Sequence, residues 1–246
     1  MKLIIKESCE EFYNEAAAEV SRQVITKQDS VIGLATGNTT VGIYRSMVRM
    51  HKAFNIDYSR VTTINLDEYV GINPSLLVSC YSRICKDLLN DINIDKSNIY
   101  VPNGMTEPIE KECDTFEHKL VACGGIDLQI LSIGENGHIA FNEPGTAFDT
   151  KIHIADIANT TVEAKAALFG SKEKVPRKGI TMGIRTIMMA KKIMLVANGR
   201  SKADIIYKTL FGPVTEDIPS SVLQLHSELV VVLDKEAALA IKQKCC

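Results

Sequence analysis

Residues 134–145, GENGHIAFNEPG, place Asn136, His138, Asn142 and Glu143 within eight positions, directly after the apolar run LQILSI. A loop that only turns the chain needs glycine and small polar residues. A histidine here adds a group that exchanges protons near neutral pH, and Glu143 is close enough to orient the ring or tune its charge. Two other segments carry comparable chemistry. TGNTT (36–40) follows SVIGLA and precedes a helical pattern, so Thr36, Gly37, Asn38 and Thr39 offer backbone N–H groups, hydroxyls and a positive helix end to an anion. A plain helix cap fits the same residues. DEY (67–69) follows VTTINL, with Asp67 and Glu68 at a strand's carboxyl end. Neighbouring strand residues point to opposite faces, so at most one of the two faces a given pocket; a helix cap or a pair of surface carboxylates fits the same residues.

Several chemistries lack their residues. The other four histidines show no HExxH or comparable spacing, which argues against zinc. There is no GxSxG for a serine nucleophile. Neither GxGxxG nor the Walker GK[ST] is present, so dinucleotide and nucleotide binding are weakly supported.

The elements that must position these loops are strands rich in β-branched residues alternating with amphipathic helices. Strands are expected at 3–6, 30–35, 61–66, 98–102, 127–134, 179–184, 192–198 and 228–234, and helices at 9–27, 41–54, 80–92, 110–125, 201–212 and 235–244. The strands are nearly continuous in apolar character, as strands covered on both faces are. An α/β fold follows: a doubly wound, Rossmann-like, mostly parallel sheet flanked by helices. Functional residues of such sheets gather beyond the strands' carboxyl ends, where all three loops fall. No linker or repeat divides the chain, so residues 1–246 read as a single domain. The stretch 157–176 reads as a helical lid or as an ordinary surface helix.

Composition bounds the partners. The 246 residues carry a formal charge of −2, with Lys and Arg scattered among Asp and Glu, which does not suggest nucleic acid or an anionic membrane. No apolar run approaches the roughly 20 residues of a membrane helix, and the first residues do not read as a signal peptide. Seven cysteines without a CxxC pair read as reduced thiols of a cytoplasmic protein.

In this order and spacing, GLATGNTTVGIYR, TTINLDEYVG, IGENGHIAFNEPG, VPRKGITMGI and SSVLQLHS resemble the glucosamine-6-phosphate deaminase (isomerase) family in its short bacterial form, over about residues 3–236. The pairing of LDEYVG with GHIAFNEPG carries the likeness. The related 6-phosphogluconolactonases end the histidine loop in Ser-Leu-Phe-Pro, where this chain has Phe141, Asn142, Glu143 and Pro144. The resemblance implies conversion of D-glucosamine 6-phosphate and water to fructose 6-phosphate and ammonia, without a metal or organic cofactor. It implies Asp67 as the base that moves the C2 proton to C1, and His138 as the group that opens the pyranose. Glu143 and Asn136 would support the imidazole, while Thr36, Gly37, Asn38, Thr39 and Lys202 would hold the phosphate.

The chain also departs from the family pattern. Many members have aspartate at the position of Asn136. The lid arginine usually presented to the phosphate is replaced by Ala167, leaving Lys165 as the nearby cation, so a galactosamine 6-phosphate substrate is the alternative. Lys151 and His153 lie where larger hexameric members carry an effector site; a monomer or small homo-oligomer without effector activation is expected. A lactonase and a non-catalytic sugar-phosphate sensor are the remaining readings.

Overall fold

The computed structural model describes residues 1–244; Cys245 and Cys246, counted among the thiols above, lie outside the described residues. In chain order the strands are β1 (Lys2–Lys6), β2 (Val31–Leu34), β3 (Thr62–Asn65), β4 (Asp67–Tyr69), β5 (Ile99–Tyr100), β6 (Leu128–Ser132), β7 (His153–Asp156), β8 (Lys178–Thr181), β9 (Ile193–Ala197) and β10 (Leu229–Asp234). The α-helices are α1 (Cys9–Thr26), α2 (Asn38–Phe54), α3 (Cys80–Ile84), α4 (Ile109–Ala122), α5 (Asn159–Phe169), α6 (Ile184–Met188), α7 (Ala203–Phe211) and α8 (Leu239–Lys244).

Seven strands form a parallel sheet in the order β1-β10-β9-β6-β2-β3-β5. Alternation along each strand sends successive side chains to opposite faces. Ile32, Leu34, Ile130, Met194, Val196, Val230 and Val232 pack under α1 and α2. Val31, Leu131, Ile193, Leu195, Val231 and Leu233 face the other layer, with Phe116 and Leu120 of α4 and Ile206 and Leu210 of α7. Both faces are therefore apolar, which is why these strands read as continuous runs. Helix α1 supplies its stripe at four-residue spacing, through Phe12, Ala16, Val20 and Val24, and starts at Ser8, whose hydroxyl accepts from Glu11 N–H.

From β2 the chain steps outward through β3 to β5, then returns to β6 on the other side of β2 and steps outward through β9 and β10. The gap between the carboxyl ends of β2 and β6 is thus a topological switch point, where sheets of this kind leave a crevice. The TGNTT and GENGH loops leave from those two ends.

The 179–184 segment does not join this sheet. Strand β8 pairs antiparallel with β4 and β7 in a separate three-stranded sheet. DEY is itself a strand rather than a loop, and His153–Asp156 is a strand the sequence reading passed over. The expected helix at 80–92 is α3 running into a π-helical turn at Cys85–Leu89, and α6 was not expected.

Candidate active site

The site is built first by the histidine loop. Its fixed points are buried: Phe141 N–H donates to Thr181 Oγ1 at 3.0 Å, and Asn142 Nδ2 donates to the carbonyls of Ile139 and Met182, both at 2.9 Å. Asn142 is therefore a staple between the loop and the end of β8, and it makes no approach to the cleft. Ala140 adopts a left-handed backbone with φ 53°, a conformation costly for a residue with a Cβ. With its backbone pinned this way, the loop presents His138 against Gly134, whose missing side chain makes room for the imidazole. A Cβ built there would lie 2.2 Å from His138 Cε1.

The imidazole sits in a closed network. Nδ1 is 2.7 Å from Asn136 Oδ1 and 3.3 Å from Glu143 Oε2, while Asn136 Nδ2 donates to the same Oε2 at 2.8 Å. Because the amide nitrogen is committed to the carboxylate, Asn136 turns its oxygen to the ring. Nδ1 therefore carries the proton, and Nε2 is left as the ring's free acceptor. Glu143 Oε1 accepts from Thr161 Oγ1 of α5 at 2.6 Å. Burial acts to raise the Glu143 carboxyl, but the hydrogen bond and charge of His138 and the donors Thr161 and Asn136 outweigh it and hold the group down at about 2. Glu143 is thus a fixed anion at any working pH.

Asp67 and Glu68 separate as adjacent strand residues should. Glu68 turns away and accepts from the N–H groups of Tyr69 (2.8 Å), Cys80 (3.0 Å) and Tyr81 (3.1 Å), capping the start of α3. Asp67 turns inward and is 7% exposed. Its carboxyl is pushed up to about 6, chiefly by burial; the Cys80 thiol pulls the other way, the Glu68 charge adds to the rise, and Lys165 and His138 oppose it. A carboxylate with that value is a stronger base than an ordinary one and still ionised at neutral pH. Cys80 also accepts from Thr36 Oγ1 at 3.3 Å, joining the first glycine-loop residue to the neighbourhood of Asp67.

Asp67 and His138 open onto one recess, which α5 covers. Thr36, Ser132, His138, Thr161 and Lys165 line both this recess and a wider cleft of about 830 Å³ that runs outward from it. The wider cleft continues along Gly37, Asn38, Thr39, Asn136 and Lys202. Asp67, Asn136, His138, Thr36, Gly37, Asn38, Thr39 and Lys202 thus share this opening; Glu143 lies behind His138, outside the lining, and Asn142 and Glu68 are turned away from it.

Helix α2 begins in the cleft at Gly37. No side chain caps it, and its first turn holds no acidic residue, so its leading N–H groups remain available to an anion. Thr39 Oγ1 donates to Asn198 Oδ1 at 2.7 Å, fixing the loop against the segment that carries Lys202. Burial lowers the Lys202 and Lys165 ammonium groups. Neither makes a hydrogen bond or ion pair shorter than 4 Å among the described residues. Two half-buried cations beside an uncapped helix start make the outer cleft anion-seeking. Ala167 is exposed on α5, so the α5 cation facing the cleft is Lys165. Lys151 is exposed and His153 lies on β7, with Nδ1 2.9 Å from the Lys151 carbonyl, away from the cleft lining.

Sequence reasoning missed Thr161, Cys80 and Asn198. Thr161 stands in ANTTVE, which reads as an ordinary helix start; nothing in its spacing points to Glu143. His226, in the quoted SSVLQLHS run, is a structural residue: its ring bonds the Ala190 carbonyl at 2.8 Å and receives Glu228 N–H.

A parallel sheet that brings a carboxylate, an imidazole and an uncapped helix start together at its switch point places the chain among α/β proteins with a ligand cleft beyond the strands' carboxyl ends. The chain belongs to the family described as glucosamine-6-phosphate isomerases/6-phosphogluconolactonase, whose model matches residues 5–232. A glucosamine-6-phosphate deaminase of Clostridium botulinum is 47% identical over 244 residues, covering 99% of this chain and 100% of that protein. One from Clostridium novyi is 48% identical over 238 residues, covering 97% and 99%. The solved structure of a monomeric glucosamine-6-phosphate deaminase superposes with a TM-score of 0.96 at 39% identity, covering 98% of this chain and 100% of the other. The 6-phosphogluconolactonase of Trypanosoma brucei shares the fold, with a TM-score of 0.77 at 16% identity.

Proposed function

We propose that this protein is a glucosamine-6-phosphate deaminase, converting D-glucosamine 6-phosphate and water to fructose 6-phosphate and ammonia. The observation that carries the reading is the shared recess of Asp67 and His138, inside a cleft whose outer end seeks an anion. The deaminase relatives, similar over nearly their whole length, add weight to it.

In this reading the substrate phosphate lies on the start of α2, against Thr36, Gly37, Asn38 and Thr39, with Lys202 and Lys165 as its cations. Binding energy from that remote end positions the reacting carbons. His138 accepts the C1 hydroxyl proton at Nε2 and returns a proton to the ring oxygen, opening the pyranose. Asn136 and Glu143 hold the imidazole and offset the charge it gains. Asp67 then takes the C2 proton, which the adjacent C1 aldehyde has acidified, to give an enolamine. Returning that proton to C1 yields the C2 imine; water adds at C2, ammonia leaves, and the ketose remains. Each transfer is acid–base work worth roughly 10²- to 10⁴-fold.

The likeness to the solved structure of a monomeric deaminase supports function as a monomer or small homo-oligomer. The five cysteines among the described residues are free thiols, which suits a reducing compartment such as the cytoplasm.

The test offers purified protein glucosamine 6-phosphate, galactosamine 6-phosphate and 6-phosphogluconolactone while ammonia and ketose phosphate are followed. Ammonia and fructose 6-phosphate from the gluco epimer are expected. Turnover of only the galacto epimer would reassign the substrate, and acid from the lactone alone would replace the reaction. Binding without turnover would leave a sensor.

A further inference from the structure

Helix α5 covers the recess, yet little holds it there. Of its eleven residues only Thr161 and Val162 are buried. Val162 packs into the apolar cluster of Tyr69, Phe141, Ile157 and Val175, with Phe169 beside it. Thr161 does something different. Its hydroxyl donates to Glu143 Oε1 at 2.6 Å, and among the described residues no other side-chain hydrogen bond joins α5 to the histidine loop. The opposite oxygen of the same carboxylate receives Asn136 Nδ2 at 2.8 Å and stands 3.3 Å from His138 Nδ1. One planar group therefore bridges the cover of the site and its imidazole. Rotation of that plane moves both contacts together.

A carboxylate held at one oxygen only is free to turn about its last two bonds, and a terminal sp³–sp² torsion has a broad well. A donor at each oxygen removes that freedom. Helices held by few buried contacts open locally at low free energy, and α5 is of this kind. When it lifts, Thr161 leaves Oε1, and Glu143 loses the partner that keeps Oε2 turned toward the ring. When it closes, the plane is locked again. The charge that Glu143 offers to a protonating imidazole is then held where it is needed.

We propose that Thr161 is a positioning residue: through Glu143 it makes the alignment of His138 depend on closure of α5, so that proton transfer at the sugar ring begins only once the site is covered. The inference rests on the reading of His138 as the ring-opening group. It differs from a clamp on the substrate, since the agent is a neutral hydroxyl whose partner is the Glu143 carboxylate. An enolamine formed in an open site would meet bulk water, so a device that couples cover to chemistry has a chemical use.

The experiment compares Thr161→Val, which keeps shape and removes the donor, with Thr161→Ser, which keeps the donor. The expected result for valine is a kcat about ten- to a hundredfold lower with KM changed less than threefold, and for serine at least half of normal kcat. A residue that merely supports the helix would move KM and thermal stability and would not be rescued by serine. In the Glu143→Gln background the valine substitution should add less than twofold, because its route to the ring is already altered. Independently of turnover, the downfield imidazole Nδ1–H resonance of His138 should shift or broaden in the valine variant and not in the serine one. If valine lowers the melting point by more than a few degrees, Thr161→Ala takes its place with the same expectations. Valine turnover within twofold of wild type, equal losses in valine and serine, or full additivity with Glu143→Gln would each overturn the inference. Absence of ammonia from the wild-type protein would instead overturn the proposed function, while the resonance comparison would still decide the coupling.

Discussion

At the scale of single residues, the two acidic groups of the site are held in opposite states. Glu143 has a donor for each oxygen and stays ionised, while Asp67 is buried with weaker support and its carboxyl rises to about 6. The pH consequences follow from the sign of that rise. A base must be ionised to act, so kcat/KM should fall as pH drops through about 6. For stability, the folded protein holds the Asp67 proton more tightly than the unfolded chain does. Stability is therefore lost as pH rises from about 4 to about 6. The cost above that window is on the order of 3 kcal/mol. Asp67→Asn should abolish turnover with substrate binding largely kept, and should raise Tm by several degrees at pH 8 but by almost nothing below pH 4. A melting-point gain that does not vary with pH, or near-normal activity, would remove Asp67 from this account. The glycine beside the imidazole gives a second expectation. Gly134→Ala places a methyl group where the ring lies, and displacing a catalytic group by about 1 Å costs on the order of 100-fold. The loss should appear in kcat with little change in far-UV circular dichroism; a variant of normal activity would mean that the ring does not work from this position.

At the scale of elements, the sheet is held in register from the end opposite the site. Asp127, just before β6, is buried and accepts from Val31 N–H at 2.8 Å, Lys27 Nζ at 2.6 Å and Lys191 Nζ at 2.8 Å. It ties the starts of β2 and β6 to the turn before β9. Burial works to raise its carboxyl, but Lys191, Lys27 and the Val31 donor prevail and hold it low. Here the sign is the reverse of that at Asp67: the contribution is present above the usual aspartate value and is lost as pH falls through the folded one. Asp127→Ala leaves the Val31 N–H without its carboxylate, which should cost about 1–3 kcal/mol at pH 7. Denaturant melts should show that deficit shrinking toward pH 3, and a constant deficit would contradict the assignment. Elements of this sort were legible in the sequence to unequal degrees. The long strands announced themselves because both faces are buried and the runs are apolar throughout. β4 and β7 are three and four residues long and mix polar with apolar residues, so no periodicity marks them. The TGNTT and GENGH loops and the DEY segment were legible because each concentrates polar groups after an apolar run. Thr161 was not, since its importance lies in a partner 18 positions away that only the fold of α5 over the loop brings near.

At the scale of the whole molecule, the crevice exists because the chain reverses its direction of travel across the seven-stranded sheet between β2 and β6, and every strand of that sheet points its carboxyl end the same way. That arrangement delivers a helix start, Asp67, His138 and two lysines without an ion pair among the described residues to one opening. An anion that binds the folded cleft and not the unfolded chain must stabilise the fold by mass action. Inorganic phosphate, carrying the charged end of the proposed substrate, should therefore raise Tm. At a hundredfold excess over Kd the gain is about 2.7 kcal/mol, or roughly 5–10 °C for a chain of this size. Sulfate at equal ionic strength should act similarly, and chloride should not. Lys202→Met should remove most of the shift, since Lys202 stands beside Thr39 and the start of α2, and Lys165→Met should remove a smaller part, since Lys165 also faces Asp67. Both variants should raise KM for the sugar phosphate more than they lower kcat. A phosphate shift that survives in Lys202→Met would place the anion elsewhere, and with it the end of the substrate from which Asp67 and His138 are reached.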